Sequence, residues 1–173
     1  MRLANYFLQS SDIVFDTFQN TYKIIRDNKE NWKITISDTG KNTMTGGRLK
    51  RVSKFIGNET FCFTYGDGLS NVNISDLVDF HKKNNAKATL TAVIPPGRYG
   101  ILNIQGDSVK SFKEKPITNQ SWINGGFFVL EPSVIDLISG DDCIWEREPL
   151  ETLSLQGELK AYKHNGFWQP MDT

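Results

Sequence analysis

The chain alternates short apolar runs of β type with stretches whose apolar residues recur at helical spacing. Period-two or continuous apolar runs bounded by turn residues predict strands, and apolar residues three or four apart predict helices. Strands are predicted at Ile13–Phe18, Trp32–Ser37, Phe61–Tyr65, Ala88–Ile94 and Phe127–Leu130, with a hairpin of Ile101–Ile104 and Val109–Phe112 and a final strand pair of Leu159–Tyr162 and Gly166–Trp168.

Helices fill the stretches between these strands. They are predicted over Arg48–Phe55, after a cap at Asn73 or Ser75, from near Pro132, and over Trp145–Leu155. His81 shares the apolar face of the second helix, so we expect a satisfied residue at the edge of the core. Because strands first alternate with helices and antiparallel pieces follow, the pattern predicts an α/β three-layer domain with a mixed sheet.

Composition narrows the class of protein. A length of 173 residues suits one domain, residues 1–173, with a sizeable core. Twenty basic residues balance twenty acidic ones, which gives no electrostatic reason for a nucleic-acid partner or an anionic membrane surface. No apolar run approaches the ~18 residues of a transmembrane helix. Cys62, in an apolar strand, and Cys143, in a polar turn region, lack metal-type spacing, which favours a reducing cytoplasm.

The turn Gly66-Asp67-Gly68 carries the clearest candidate chemistry. It follows an apolar strand directly, and ligands of open α/β sheets bind just beyond the carboxyl ends of the strands. A carboxylate between two glycines is well placed to hold Mg²⁺ against a phosphate. An Asp-Gly turn without chemistry explains the local sequence equally well.

Three further loops hold candidate residues. In TMTGGRLKR, residues 43–51, Gly46 and Gly47 allow close approach of a ligand to the backbone, Thr43 and Thr45 supply hydroxyls, and Arg48 stands at a predicted helix start that favours anions. The other two loops are KEKP, residues 113–116, and FWQPMDT, residues 167–173. From the local sequence alone, the lysine and glutamate of KEKP are more typical of a surface ion pair. The aspartate of FWQPMDT is more typical of a solvated residue.

Taken in order, these segments resemble the sugar-1-phosphate nucleotidyltransferases. The resemblance rests on TYGDG, PPGRYG, KEKP, WINGGFFVLEP and GFWQPMDT. TGGRLKR, GNETFCFTYGDG and GFWQPMDT look most like the glucose-1-phosphate cytidylyltransferases. The resemblance spans nearly the whole chain and implies a Rossmann-like, GT-A-like nucleotidyltransferase domain.

The resemblance implies a reaction and its participants. Such enzymes transfer a cytidylyl group from CTP to α-D-glucose 1-phosphate, giving CDP-glucose and pyrophosphate for dideoxysugar and O-antigen (lipopolysaccharide) synthesis. The sugar phosphate oxygen attacks the α-phosphorus in line, so catalysis is mainly positioning and charge neutralisation. The implied cofactor is Mg²⁺, the implied location is the cytoplasm, and a homo-oligomer is compatible with the family.

The resemblance also assigns roles by motif. It implies metal binding by Asp67 and Asp172 and neutralisation of the sugar phosphate by Lys115. It places the remaining candidates at the sugar phosphate (Tyr99, Gly100, Glu114, Asn124 and Gly125) or at the nucleotide (Thr43, Gly46, Gly47, Arg48 and again Asp67).

One departure from the family pattern is large. The family's first strand, its Gly-rich triphosphate loop and a later Pro-Lys-Pro lysine have no counterpart before ANYF, and the family's helical tail has none after Thr173. We therefore expect a truncated domain with an unpaired sheet edge. Two alternatives stay open: a nucleotidyltransferase for another base or sugar, and a non-catalytic remnant or regulatory subunit.

Without the glycine-rich loop, we expect the 173-residue chain to have little or no cytidylyltransferase activity, because backbone donors to a transition-state oxyanion are worth about 100- to 1,000-fold in rate. Pyrophosphate release from CTP, glucose 1-phosphate and Mg²⁺ measures it. Turnover equal to that of a full-length relative would contradict this expectation.

Overall fold

The computed structural model describes residues 13–24, 33–95, 101–113 and 121–171. The chain divides into two compact units, Met1–Ser37 and Asp38–Thr173. The expectation of one domain over residues 1–173 stays a prediction.

The first unit contains a β-hairpin. Strands β1 (Ile13–Asp16) and β2 (Thr21–Ile24) pair antiparallel. The Asp16 carboxylate accepts the backbone N–H groups of Phe18 and Gln19 at 3.0 and 2.9 Å. This Asx-type turn ends the strand two residues earlier than predicted, because it draws the chain out of the extended conformation.

The second unit combines strands with short helices. In chain order its elements are α1 (Thr45–Ile56), β3 (Phe61–Thr64), β4 (Gly68–Ser70), α2 (Ile74–Asn84), β5 (Ala88–Val93), β6 (Ile101–Gln105), β7 (Ser108–Lys113), β8 (Ile123–Leu130), a 3₁₀ helix (Pro132–Leu137), α3 (Glu148–Leu155), β9 (Leu159–His164) and β10 (Trp168–Pro170).

The main sheet is mixed, which confirms the predicted α/β class. Its described strands lie in the order β3-β8-β5-β9. Strand β8 is antiparallel to β3 and β5, whereas β5 and β9 are parallel. Strands β4 and β10 form a separate antiparallel pair, and β6 and β7 form the predicted hairpin.

The core lies between the helices and strand β8 of this sheet. Phe128, Leu130 and Trp145 are at most 1% exposed. Residues of α1, of the 3₁₀ helix and its C-terminal cap, and of α3 pack against them, including Leu49, Val134, Ile138, Leu150 and Leu153. The Trp145 ring meets Phe128 edge-on at a centroid distance of 6.0 Å, an arrangement that aromatic pairs prefer.

Helix α2 confirms the prediction made for it. The Asn73 side chain caps it by accepting from the N–H groups of Ser75 and Asp76. His81 is 2% exposed. Its ring nitrogens lie 2.9 Å from Thr89 Oγ1 and 3.0 Å from Glu131 Oε1, so both are satisfied, as expected of a histidine at the edge of the core.

Two strand predictions are wrong. Residues 33–37 of the predicted strand Trp32–Ser37 are not in a strand. No described strand pairs with them and Ile36 is 80% exposed, so apolar alternation alone does not create the hydrogen-bonded ladder a strand needs. The predicted final strand pair is also wrong, because β9 pairs with β5 and β10 pairs with the short, unpredicted β4.

The helix starts also differ from prediction. Helix α1 begins at Thr45 instead of Arg48. Helix α3 begins at Glu148 instead of Trp145, because Trp145 belongs to a turn that places its ring in the core. The segment from Pro132 is a 3₁₀ helix. Among the helices of the described residues, none has the length and apolar character to cross a bilayer.

Helix α3 offers a matched test of the core, because Leu153 is fully buried and Leu155 is 90% exposed. We expect Leu153→Ala to lower the free energy of unfolding by about 2–5 kcal/mol through lost burial and a cavity. Leu155→Ala should stay within about 0.5 kcal/mol of the parent. Urea unfolding measures both, and equal losses for the two variants would contradict the packing described.

Candidate functional site

The candidate site lies at one edge of the main sheet. Strands β3, β5 and β9 run in the same direction, so their carboxyl ends share an edge, and the antiparallel β8 begins there. The register pairs Ala92 with Asn124 and Thr64 with Phe127. The GDG turn after β3 and the Asn124-Gly125 segment therefore lie side by side, at the position where α/β sheets bind ligands.

The GDG turn is joined to the end of the chain. Gly66 and Asp67 form a turn, and Gly68 starts β4, which pairs with β10 through Gly68 and Pro170. The backbone N–H of Met171 donates to the Asp67 carbonyl at 2.8 Å. Met171 immediately precedes Asp172, so the two segments predicted to supply metal carboxylates meet here. Within the described residues, no three His, Cys, Asp or Glu side chains cluster as a metal site.

Strand β8 enters the site through a distortion at two glycines. The pairing of β8 with β5 shifts between Leu90 and Ala92, and Gly126 has a φ of +79°. A Cβ on Gly126 would lie 2.6 Å from the Tyr65 ring, and one on Gly125 would lie 2.8 Å from Val93. Only glycine fits both positions, and the resulting bulge places Asn124 at the sheet edge.

Asn124 is held from two sides. Its Oδ1 accepts the backbone N–H of Gly126 at 2.9 Å, and its Nδ2 donates to the Tyr65 hydroxyl at 3.1 Å. Burial, followed by a hydrogen bond to the Glu146 carboxylate and the charge of that carboxylate, raises the pKa of the Tyr65 phenol well above its usual range. The phenol therefore stays protonated at neutral pH and can donate.

The indole of Trp168 joins β10 to the same segment. Its Nε1–H donates to the Gly125 carbonyl at 2.8 Å. Beside it, the His164 Nε2 lies 3.0 Å from the Asn71 side chain. Trp168 is half-buried and ties the chain after β9 to the start of β8.

The TGGR segment differs from the loop that was predicted. Gly46 and Gly47 lie in the first turn of α1, and their N–H groups donate to the Cys143 carbonyl at 3.0 and 3.3 Å. The N–H groups of these two glycines are therefore occupied by protein, and the contact of Gly46 and Gly47 with the nucleotide remains a prediction. A Cβ on Gly47 would lie 2.5 Å from the Asp141 carbonyl, so the glycines permit close helix–loop packing.

Thr43 and Arg48 flank this junction. Thr43 is 7% exposed. Arg48 is the fourth residue of α1, and its guanidinium donates to Thr39 Oγ1 at 2.7 Å and to the Lys41 carbonyl at 3.2 Å. The guanidinium is exposed, and its contact with a nucleotide remains a prediction.

The burial of the two cysteines is the reverse of what the residues around them in the sequence indicate. Cys143 is 6% exposed beneath α1, whereas Cys62 is exposed on β3. The side chains of β3 alternate, and the phenylalanines at 61 and 63 take the covered face. Burial of the surrounding strand still raises the pKa of the Cys62 thiol.

Several predicted site residues lie outside the described residues. They are Tyr99, Gly100, Glu114, Lys115 and Asp172. The structure brings together Asp67, Asn124 and Gly125, and it places Thr43, Gly46, Gly47 and Arg48 at the start of α1. Sequence reasoning missed Tyr65 and Glu146. Tyr65 stands directly before the GDG turn, which is the signal that could have drawn attention to it.

The sequence profile of the family described as Nucleotidyl transferase matches residues 9–166. The chain belongs to this family. The nucleotidyltransferase resemblance found in the motifs is thereby confirmed, as is the expected fold class.

The relatives of this nucleotidyltransferase carry names from the same class of enzyme. The chain is 55% identical over 171 residues to the glucose-1-phosphate cytidylyltransferase of Salmonella typhi, covering 98% of this chain and 66% of that protein. It is 43% identical to the probable glucose-1-phosphate cytidylyltransferase of Bacillus subtilis (strain 168), covering 83% and 57%. The chain thus spans about two thirds or less of these relatives' lengths.

A solved structure shows the same fold. HddC from Yersinia pseudotuberculosis superposes with a TM-score of 0.61 at 24% sequence identity, covering 83% of this nucleotidyltransferase and 64% of that chain. At this identity the likeness concerns the fold alone.

The packing of α1 predicts the effect of a single methyl group. We expect Gly47→Ala to lower the free energy of unfolding by about 1–3 kcal/mol, because the new Cβ must displace the backbone of Asp141. Higher helix propensity of alanine offsets at most about 1 kcal/mol. Gly140→Ala is the control, since its Cβ meets nothing within 4 Å. Chemical denaturation that ranks the two variants equally would contradict this packing.

Proposed function

We propose that this nucleotidyltransferase chain carries the substrate site of a glucose-1-phosphate cytidylyltransferase. The main support is the hydrogen bond from Met171 N–H to the Asp67 carbonyl, because it joins the two segments from which the metal carboxylates would come. The choice of CTP and glucose 1-phosphate is supported by the relatives that carry that name.

The residues around Asp67 fit Mg²⁺. The Asp67 side chain is exposed in a turn that follows a strand and is anchored by β4 and β10. A carboxylate oxygen is a hard ligand, and Mg²⁺ in nucleotide enzymes usually takes one or two carboxylates together with substrate phosphates and waters. Asp67 and Asp172 would hold the ion. When bound, Mg²⁺ would neutralise part of the negative charge of the triphosphate.

The proposed reaction needs little covalent chemistry from the protein. A phosphate oxygen of glucose 1-phosphate forms a bond to the α-phosphorus of CTP, and the bond from that phosphorus to the leaving pyrophosphate breaks. The protein orients the two anions and offsets their repulsion. Lys115 would supply a positive charge to the sugar phosphate, where Glu114, Tyr99 and Gly100 would also contact the substrate.

The described residues would contribute mainly orientation. The Asn124 amide and the Gly125 backbone lie beside the GDG turn at the sheet edge and would contact the sugar phosphate. Thr43 and Arg48, with the Gly46-Gly47 turn behind them, would contact the nucleotide. The exposed Arg48 guanidinium already lies beside Thr39 and Lys41, where it remains accessible to a phosphate.

The proposal extends to the wider setting. Mg²⁺ as cofactor, a cytoplasmic location and a role of CDP-glucose in O-antigen synthesis follow from the family resemblance and belong to the same hypothesis.

A ligand panel tests it. With Mg²⁺ and CTP at about 100 times Kd, linkage adds about 2.7 kcal/mol to the free energy of unfolding, or about 5–11 °C in Tm for a domain of this size. We expect CTP to raise Tm more than UTP, dTTP or ATP, and Asp67→Asn to remove the Mg²⁺-dependent part of the shift.

Asp107→Asn is the matched control, because Asp107 is exposed in the turn between β6 and β7. It should keep the full CTP shift. A larger shift with another nucleotide would favour a different base specificity, and no shift with any nucleotide would favour the non-catalytic alternative.

A further inference from the structure

A short path of hydrogen bonds lies at the start of strand β8, where it holds the Asn124 amide in one orientation. The path begins at Asn124. Its Oδ1 is only 2.9 Å from the Gly126 nitrogen, which must donate, so the amide can be oriented in only one way. Its Nδ2 therefore faces the Tyr65 hydroxyl, at 3.1 Å, and donates to it. The phenol accepts from Asn124 and keeps its own proton, because burial raises the pKa of the Tyr65 hydroxyl.

Tyr65 is itself held rigidly. Its backbone N–H donates to the Gly126 carbonyl at 3.2 Å, and its ring lies against the face of Gly126 that has no Cβ. The ring also meets Phe63 and Phe128 edge-on, at centroid distances of 6.0 and 5.7 Å. A phenol fixed on three sides can hold a partner in one orientation.

Tyr65 is not among the residues proposed to contact substrate, whereas Asn124 is. Tyr65 would therefore act on the candidate site through the Asn124 amide that it holds.

We propose that Tyr65 is a positioning residue that orients the Asn124 amide toward the sugar phosphate. This inference rests on the proposed function, because it takes Asn124 to contact glucose 1-phosphate. Tyr65 acts through Asn124 and not by touching substrate. Its hydroxyl therefore matters for affinity toward the sugar phosphate and not toward the nucleotide.

Isothermal titration calorimetry of the full chain with glucose 1-phosphate, and separately with CTP and Mg²⁺, tests this role. We expect Tyr65→Phe to weaken glucose 1-phosphate binding about five-fold, the equivalent of one net hydrogen bond, and to leave the Kd for CTP within two-fold.

A double-mutant cycle separates positioning from general stabilisation. In an Asn124→Ala background, Tyr65→Phe should have no further effect on glucose 1-phosphate binding, because the group it orients is gone. Tyr162→Phe is the matched control, since the ring of Tyr162 in β9 packs on Phe80 of α2 and makes no described hydrogen bond to Asn124. Unfolding curves show which variants are folded at the titration temperature.

The outcomes are distinct. If the parent chain binds both ligands and Tyr65→Phe leaves both affinities unchanged, or if the effects of Tyr65→Phe and Asn124→Ala simply add, the positioning role is overturned and the proposed function stands. If the parent chain binds neither ligand, the proposed function fails and the positioning role fails with it.

Discussion

The antiparallel placement of β8 between β3 and β5 is the constraint on which the candidate site depends. Because β8 runs against its neighbours, its first residues lie at the edge where β3 and β5 end. Phe128, Val129 and Leu130 bury the other half of the strand almost completely, which fixes its register. Strand β8 therefore contributes both buried core residues and Asn124 at the candidate site. A shift in its register would move the Asn124 amide as well as the buried side chains.

Glycines are required at two places in the second unit, for two different reasons. Gly126 adopts a left-handed conformation that side chains rarely take. Gly46 and Gly47 have ordinary helical positions and are needed because the backbone carbonyls of Asp141 and Cys143 lie against them. The N–H groups of both glycines are thereby occupied by protein at the start of α1.

The sequence predicted those parts of the fold that depend on local pattern. Asn73 as a cap, His81 as a satisfied residue and the mixed sheet follow from periodicity and turn chemistry. The failures concern non-local partners: residues 33–37 have apolar alternation without a described partner strand, and β10 pairs with β4 instead of β9. For the candidate site, Asp67 and Asn124 were recognisable by motif. Glu146 is singled out only in the folded chain, by its hydrogen bond from Thr45.

The contact between Met171 and Asp67 joins positions roughly a hundred residues apart, and such long loops close late in folding because their closure is entropically costly. The carboxylates predicted on either side of it would lie apart in any state in which this contact is open. An ion held by both segments would close that loop from within and favour the complete fold over every state in which β4 and β10 have separated. Affinity for the ion would then report on the integrity of the whole second unit.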